Sequence, residues 1–240
     1  MSGMVSAYAG DRVPLVGTGS PTPSGRPSIL NTGQIIPIDT ALVACSMSAT
    51  FSDVEGGGTP GTNYDGVLAS GGLLFSERFA GQSTSSSGNF DVISGLPSNP
   101  LELQAGEAGQ NLDVFDYAGN ALAGLGPIGF PDIDAIGEGS IAIYFPIAQS
   151  QVKLSLVGGN GGSATLEFYR ADGSLIDEVV VSNLADLPYA FGSSDNSYII
   201  SGILIQNTDA SGIGVDNVCY DATPTSVRPV TWGNLKRRYR

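Results

Sequence analysis

Oxygen-bearing side chains are gathered in three loop-like stretches of the sequence, and their chemistry suits a hard cation. The residues are Asp53, Glu55, Asp65, Asp216, Asn217 and Asp221. Carboxylates, amide oxygens and backbone carbonyls in flexible loops are the ligands that calcium prefers. The sequence therefore predicts a structural Ca2+ ion held by these residues, provided that the strands carrying the loops pair. The alternative is that they are solvated acids of ordinary turns.

The two cysteines, Cys45 and Cys219, lie in the first and last strand patterns of the chain. The terminal strands of many antiparallel sandwiches are neighbours, so we expect one disulfide that closes a long loop and stabilises the fold. Two buried free thiols are the alternative, since unpaired cysteine is among the most buried residue types.

The absence of histidine narrows the catalytic chemistry that is available. It excludes Ser-His-Asp and Cys-His arrangements and removes the usual proton shuttle at neutral pH. The remaining acid–base groups are carboxylates. No strand pattern carries alternating acids beside a tryptophan, the arrangement expected of a sandwich glycosidase. We therefore expect a protein that is not an enzyme, with a carboxylate-dependent polysaccharide hydrolase as an alternative.

Charge is divided unevenly along the chain. The formal net charge is −13, but the first 227 residues hold all 23 acidic and five of the ten basic side chains, a charge of −18. Such acidity disfavours binding to nucleic acid or to an anionic membrane. No apolar run approaches the ~18 residues that a membrane-spanning helix needs.

The last residues form a cationic tail after a proline-containing linker. The tail carries Trp232, Lys236, Arg237, Arg238 and Arg240. Its apolar residues are spaced like one face of a helix with cations between them, which favours a recognition or anchoring segment. A solvated, disordered end is the alternative.

Residues 41–221 have the pattern of a β protein. About twelve short strand patterns are separated by clusters of Gly, Asn, Asp and Ser. The clearest hairpin joins residues 164–170 to 175–181, with Asp172 and Gly173 in the turn. Many short strands at roughly ten-residue spacing predict an all-β fold, a two-sheet antiparallel sandwich of jelly-roll type.

Irregular segments flank this domain. Residues 1–40 are rich in Pro and Gly and are expected to form an extended arm, although the apolar stretch 34–38 suits a sheet edge. Residues 222–240 are the linker and the tail. The division is therefore an arm (1–40), a β-sandwich domain (41–221) and a C-terminal tail.

Several short blocks resemble exported bacterial β-sandwich proteins of the PEP-CTERM-associated kind. The blocks are residues 79–82, 90–95, 101–106, 137–142, 157–169 and 212–218, the last containing Gly-Val-Asp-Asn. The resemblance spans residues 45–221 and implies a secreted or surface-associated jelly roll that binds carbohydrate or matrix. The chain departs from that group in its ending, which lacks Pro-Glu-Pro and an apolar tail, and no signal-peptide layout is visible in residues 1–30.

These observations together predict a non-catalytic, secreted or cell-surface protein with a structural or adhesive role. Its expected partners are glycans or other copies of itself, and a self-assembling subunit of a filament or surface layer is an alternative. A glycan site needs exposed aromatic side chains. The candidates are Tyr64, Tyr117, Phe130, Tyr144 and Tyr189, each of which also suits a core position.

Overall fold

The structure is a computed structural model that describes residues 27–31 and 33–221. These ranges contain strands, one short 3-10 turn (Ile133–Ala135) and no α-helix. The strands are β1 (Ser28–Asn31), β2 (Ile35–Pro37), β3 (Met47–Ala49), β4 (Thr62–Tyr64), β5 (Leu68–Ser70), β6 (Leu73–Ser76), β7 (Arg78–Phe79), β8 (Ser83–Ser87), β9 (Phe90–Ser94), β10 (Leu103–Gln104), β11 (Leu112–Asp116), β12 (Asn120–Leu125), β13 (Ile136–Gly139), β14 (Ile141–Gln149), β15 (Gln151–Val157), β16 (Ser163–Tyr169), β17 (Leu175–Ser182), β18 (Leu187–Ser193), β19 (Ile200–Asn207) and β20 (Gly214–Tyr220).

Two large sheets carry the fold. Sheet I has seven strands in the order β1-β17-β16-β19-β14-β6-β5. Sheet II has the order β2-β18-β15-β20-β12-β11-β4, with β13 paired to β12 and β3 paired to β20. The β8–β9 hairpin and the short β7–β10 pair lie outside both sheets. The strand pairs within both sheets are antiparallel.

The central strands follow the jelly-roll order. From β13 onward the chain alternates between sheets, except that the β16–β17 hairpin stays in sheet I. The central strands therefore stand in the two four-strand orders of a jelly roll, β12-β20-β15-β18 in sheet II and β14-β19-β16-β17 in sheet I. The predicted all-β, two-sheet jelly roll is confirmed.

The core forms between the two sheets because apolar and polar residues alternate along the central strands. In β15, Val152, Leu154 and Leu156 are fully buried, whereas their neighbours in the strand are half-buried. In β16, Leu166 and Phe168 point into the same core. Aromatic contacts such as Phe168 with Phe191, at a ring-centroid distance of 5.4 Å, connect the two sheets. Period-two alternation therefore sets which residues face outward.

Part of the predicted N-terminal arm belongs to the sheets. β1 is the edge strand of sheet I beside β17, and β2 is the edge strand of sheet II beside β18. The carboxylate of Asp177 holds the connection, accepting the amide protons of Gly33 (3.0 Å) and Ile35 (2.8 Å). The expectation that residues 34–38 lie on a sheet edge is confirmed. Residues 1–26 of the arm lie outside the described residues.

The predicted disulfide between Cys45 and Cys219 is present. Cys219 belongs to β20, and Cys45 lies just before β3, which pairs with β20. The Cα atoms are 5.5 Å apart although the residues are 174 positions apart in sequence. Neighbouring terminal strands thus bring the two cysteines together, as the sandwich topology predicts.

An additional layer covers part of the outer face of sheet I. Phe79, Ile93 and Leu101 pack on Tyr169 and Leu204 of that face in a small apolar cluster. This layer includes the β8–β9 hairpin and places it beside β16 and β19, where it forms one wall of the groove described below.

No helix among the described residues is long and apolar enough to cross a membrane.

Candidate functional site

The acids of the two N-terminal loops anchor those loops. The Asp53 carboxylate accepts hydrogen bonds from the Gly71 amide (2.8 Å) and the Ser70 hydroxyl (2.5 Å), which lower its pKa. The Asp65 carboxylate accepts from the Gly109 amide (2.6 Å) and from Asn63 (2.9 Å), with the same effect on its pKa. Both acids therefore stabilise loop conformations through backbone amides.

The other residues of the predicted calcium set are spread along the sandwich. The Asp216 carboxylate accepts from the amide of its neighbour Asn217 (2.6 Å), and the Glu55 side chain is exposed. Asp221 follows the far end of β20, where it accepts from the Ser46 amide (3.3 Å). Five residues of extended strand separate Asp216 from Asp221 by about 17 Å. The six residues therefore do not share one site.

Within residues 27–31 and 33–221, no three His, Cys, Asp or Glu side chains converge in a way that would hold a metal ion. The tail residues Trp232, Lys236, Arg237, Arg238 and Arg240 lie outside the described residues.

The five aromatic candidates for a glycan platform all pack against apolar clusters. They are Tyr64, Tyr117, Phe130, Tyr144 and Tyr189. The Tyr64 hydroxyl donates to the Glu55 carbonyl (2.6 Å), and the Tyr117 hydroxyl donates to the Asp186 carboxylate. Burial and Asp186 raise the pKa of Tyr117 to about 12. These contacts assign the side chains mainly to packing.

A polar groove with a volume of about 390 Å³ runs along the outer face of sheet I. Its floor consists of residues from β16, β17 and β19, and its wall is strand β9. The floor residues used below are Ser163, Thr165, Glu167, Glu178 and Gln206. The Ile93 amide in the wall donates to Gln206 Oε1 in the floor (2.7 Å), so the wall and the floor are connected directly.

Two glutamates face each other on the groove floor. Glu167 of β16 lies directly opposite Glu178 of β17 in the ladder. Cβ atoms of directly opposed residues are about 4.5–5.5 Å apart, so the carboxylates are close and repel. Burial and the charge of Glu178 raise the pKa of Glu167, whereas the hydrogen bond from the Tyr169 hydroxyl opposes that shift. The pair combines a half-buried acid with an exposed carboxylate.

A third carboxylate, Asp91, is buried in the groove wall. Only 6% of its surface is exposed, and it accepts a hydrogen bond from the Ser140 amide (3.2 Å). Burial and the nearby Glu77 carboxylate raise the pKa of Asp91 to about 7. Glu77 itself is ion-paired to Arg78, and burial raises its pKa. The wall therefore holds a carboxyl group that titrates near neutral pH.

This arrangement predicts that the protein is more stable near pH 5 than near pH 7.5. The pKa of Asp91 is about 7 in the folded protein, against an ordinary value of 3.8. Between these values the folded protein holds a proton that the unfolded chain releases. The free energy of unfolding therefore falls as the pH rises, by up to about 1.4 kcal/mol per pH unit for one group. Urea denaturation across this pH range measures the slope.

The matched variants for this prediction are Asp91→Asn and Asp172→Asn. The first removes one titrating group and is expected to reduce the slope by its share, up to about 1.4 kcal/mol per pH unit, while burial also raises the pKa of Asp113 to about 7 and leaves that contribution in place. The second changes an exposed acid whose pKa is lowered by hydrogen bonds from Ser174, so it titrates below this range and should leave the slope unchanged. A free energy of unfolding that rises between about pH 5 and 7.5 would contradict the assignment.

Sequence reasoning identified the hairpin of the groove floor but missed its acid pair. Alternation along β16 places Thr165 and Glu167 on the outer face. An unbroken register from the turn would place Asp177 opposite Glu167. Instead the register shifts by one residue at Tyr169, which pairs with Leu175. Glu178 therefore lies opposite Glu167, and the Asp177 side chain points to the β1–β2 connection. This register shift has no signal in the sequence, and it determines which acid faces Glu167.

Comparisons of this chain with protein-family models, with curated proteins and with solved structures give no match. The functional argument therefore rests on the geometry of the groove.

Proposed function

We propose that this protein is a secreted or cell-surface β-sandwich that binds a neutral polysaccharide chain in the groove of sheet I. The observation that carries the proposal is a groove lined mostly by polar residues on the outer face of a jelly roll, beside the half-buried ring of Phe90. Polar side chains can bond sugar hydroxyls, and an aromatic ring can pack on the apolar face of a sugar.

The hydrogen-bonding chemistry of the groove favours hydroxyl-rich ligands. Glu178 offers an exposed carboxylate, and Thr165 and Ser163 offer hydroxyls that donate or accept. Gln206 binds the wall through its oxygen and keeps an amide nitrogen as a donor. A neutral sugar donates hydroxyl protons to carboxylates and accepts from the other groups, so donors and acceptors match.

The charge of the groove restricts the class of polysaccharide. Asp91, Glu167 and Glu178 line it, and no Lys or Arg is among its lining residues. Sulfated and uronic acid polysaccharides are repelled by this field, which leaves neutral chains as the expected ligands.

Secretion is supported by the disulfide. Bonds such as Cys45–Cys219 persist in oxidising compartments and are rare in the cytosol. The acidic, strand-rich composition agrees with a protein that works outside the cell.

Binding to neutral and acidic oligosaccharides, measured by titration calorimetry, tests this proposal. The neutral set is gluco-, xylo- and manno-oligosaccharides, and the acidic set is oligogalacturonate and heparin fragments. We expect binding to at least one neutral chain and none to the acidic chains. Glu178→Ala should weaken binding on the order of tenfold, because a hydrogen bond to a charged group contributes about 1.5–3 kcal/mol.

Glu102→Ala is the matched control, because Glu102 is an exposed glutamate that is not among the residues lining the groove. It should bind like the unchanged protein. No binding across the neutral set, or equal losses in the two variants, would remove the groove as a glycan site.

The Glu167–Glu178 pair favours a second candidate, a carboxylate-dependent polysaccharide hydrolase. Retaining glycosidases use two carboxyl groups about 5–5.5 Å apart, one as acid and one as nucleophile. Glu167, whose pKa is raised, suits the acid, and Glu178 suits the nucleophile. Release of new reducing ends in the same oligosaccharide incubations would identify the hydrolase, whereas intact oligosaccharides support binding without cleavage.

A further inference from the structure

Three buried oxygen atoms on opposed residues of β4 and β11 have no hydrogen-bond partner. They are both carboxylate oxygens of Asp113 and the side-chain oxygen of Asn63. Asn63 and Asp113 are directly opposite each other in the β4–β11 ladder. None of Asp113 is exposed. An ionised carboxylate in such surroundings is costly unless it is paired or coordinates a metal.

The orientation of the Asn63 side-chain amide is fixed by the hydrogen bond that its nitrogen makes. Its nitrogen donates to the Asp65 carboxylate (2.9 Å), so its oxygen is the atom left without a donor. The opposed side chains of Asn63 and Asp113 thus have three acceptor oxygens between them and no donor for these oxygens. Two acceptor groups that face each other without a proton or a cation repel.

A glycine-rich loop, residues 56–61, covers this set of oxygens. Gly57 is bound to β11 through its carbonyl, which accepts from the Asp116 amide (2.9 Å). Gly61 has a positive φ of +102°, and a Cβ atom built on it would overlap the Asp113 carboxylate. Glycine at this position therefore lets the backbone lie directly against the carboxylate.

We infer that Asp113 and Asn63 hold a calcium ion beneath the 56–61 loop. The available ligands are all oxygens, which selects a hard cation over zinc or copper. Magnesium retains most of its water shell and suits an open site, whereas calcium accepts six to eight oxygens from carboxylate, amide and backbone. The proposal requires that the remaining ligands come from backbone carbonyls of the glycine-rich loop and from water.

This site differs from the six residues predicted from the sequence, although it lies beside Asp65. The ion neutralises Asp113 and fastens the loop to the edge of sheet II. It supplies a partner for the two buried carboxylate oxygens of Asp113, which have no hydrogen bond otherwise. The inference concerns the edge strand β4 and does not depend on the glycan groove.

The test uses the full chain after treatment with EDTA and titrates it with CaCl2 alone, with MgCl2 as a separate arm. We expect one calcium per chain and a rise in Tm with calcium. Asp113→Asn, which removes the charge but keeps the shape, should weaken calcium binding on the order of tenfold or more. In EDTA the same variant should melt at or above the Tm of the unchanged protein, because no charge remains buried.

Asp116→Asn is the control, because Asp116 is an exposed acid on the same strand. It should keep both the heat of binding and the rise in Tm. As a second measurement, Tb3+ bound at the site should show luminescence sensitised by the adjacent Tyr64 and displaced by calcium. A wild-type chain without calcium heat or terbium signal, or an Asp113→Asn variant with unchanged affinity, would overturn the site and leave Asp113 as a neutral carboxylic acid.

Discussion

Replacing both cysteines, Cys45→Ala with Cys219→Ala, is expected to lower the free energy of unfolding by about 5 kcal/mol. The bond joins residues 174 positions apart, so it closes most of the folded domain into one loop. In the unfolded chain such a crosslink removes conformational entropy in proportion to the logarithm of the loop length. Because typical domains are stable by only about 5–15 kcal/mol, this loss is a large share of the total.

Equilibrium denaturation in urea, with and without a reducing agent, measures the effect of the disulfide. The reduced wild-type protein should lose most of the stability that the double variant loses, and the reducing agent should not change the double variant. The half-buried Cys45 and the buried Cys219 pack against Val43 and Ala190, so the alanines also remove some apolar contact. Comparison of the reduced wild-type protein with the variant separates that packing loss from the effect of the crosslink. A reduced protein as stable as the oxidised one would contradict the loop-entropy argument.

The large-scale fold could be predicted from local patterns because its central strands are regular. Alternation along residues 164–170 identified both the strand and its buried side, and Gly173 identified the turn. The many strands without helices then favoured two antiparallel sheets. That topology brought the first and last strands together and so predicted the Cys45–Cys219 bond.

The first and last residues of the strands were harder to predict from the sequence, because a segment with a strand pattern forms a strand only where a neighbouring strand pairs with it. Residues 42–51 have one continuous apolar pattern, but only Met47–Ala49 pairs, because β20 offers partners to those residues alone. Residues 72–79 likewise have one continuous strand pattern. They form β6 in sheet I and β7, which leaves the sheet to pair with β10.

The candidate sites depend on contacts between residues far apart in sequence. The groove exists because the β8–β9 hairpin folds over sheet I, and no local pattern fixes where a hairpin packs. The unpartnered oxygens of Asp113 follow from the register of β4, a three-residue strand with little sequence signal. The oxygen-rich loops near residues 53 and 65 are visible in the sequence, but only the structure shows that the carboxylates of Asp53 and Asp65 anchor those loops through hydrogen bonds.

Asn111→Ala is expected to lower the free energy of unfolding by about 4 kcal/mol, the second large effect. Asn111 is fully buried, and its amide nitrogen donates to the carbonyls of Tyr64 (2.7 Å) and Gly66 (2.8 Å). Its oxygen accepts from the amides of Glu77 (2.9 Å) and Gly106 (3.2 Å). Alanine leaves these four backbone groups without that partner, and each buried unsatisfied group costs about 1–3 kcal/mol.

The position of Asn111 makes the loss specific as well as large. One side chain connects the loop after β4, the end of β6 and the 105–111 segment, so its removal should loosen all three together. Hydrogen exchange should show faster exchange at the Glu77 and Gly106 amides than in the unchanged protein. Asn160→Ala, at an exposed asparagine, is the control and should change stability by less than about 0.5 kcal/mol. A loss below about 1 kcal/mol for Asn111→Ala would contradict this prediction. It would mean that water enters the cavity left by the side chain and bonds all four backbone groups, although a cavity of this size has little room for water.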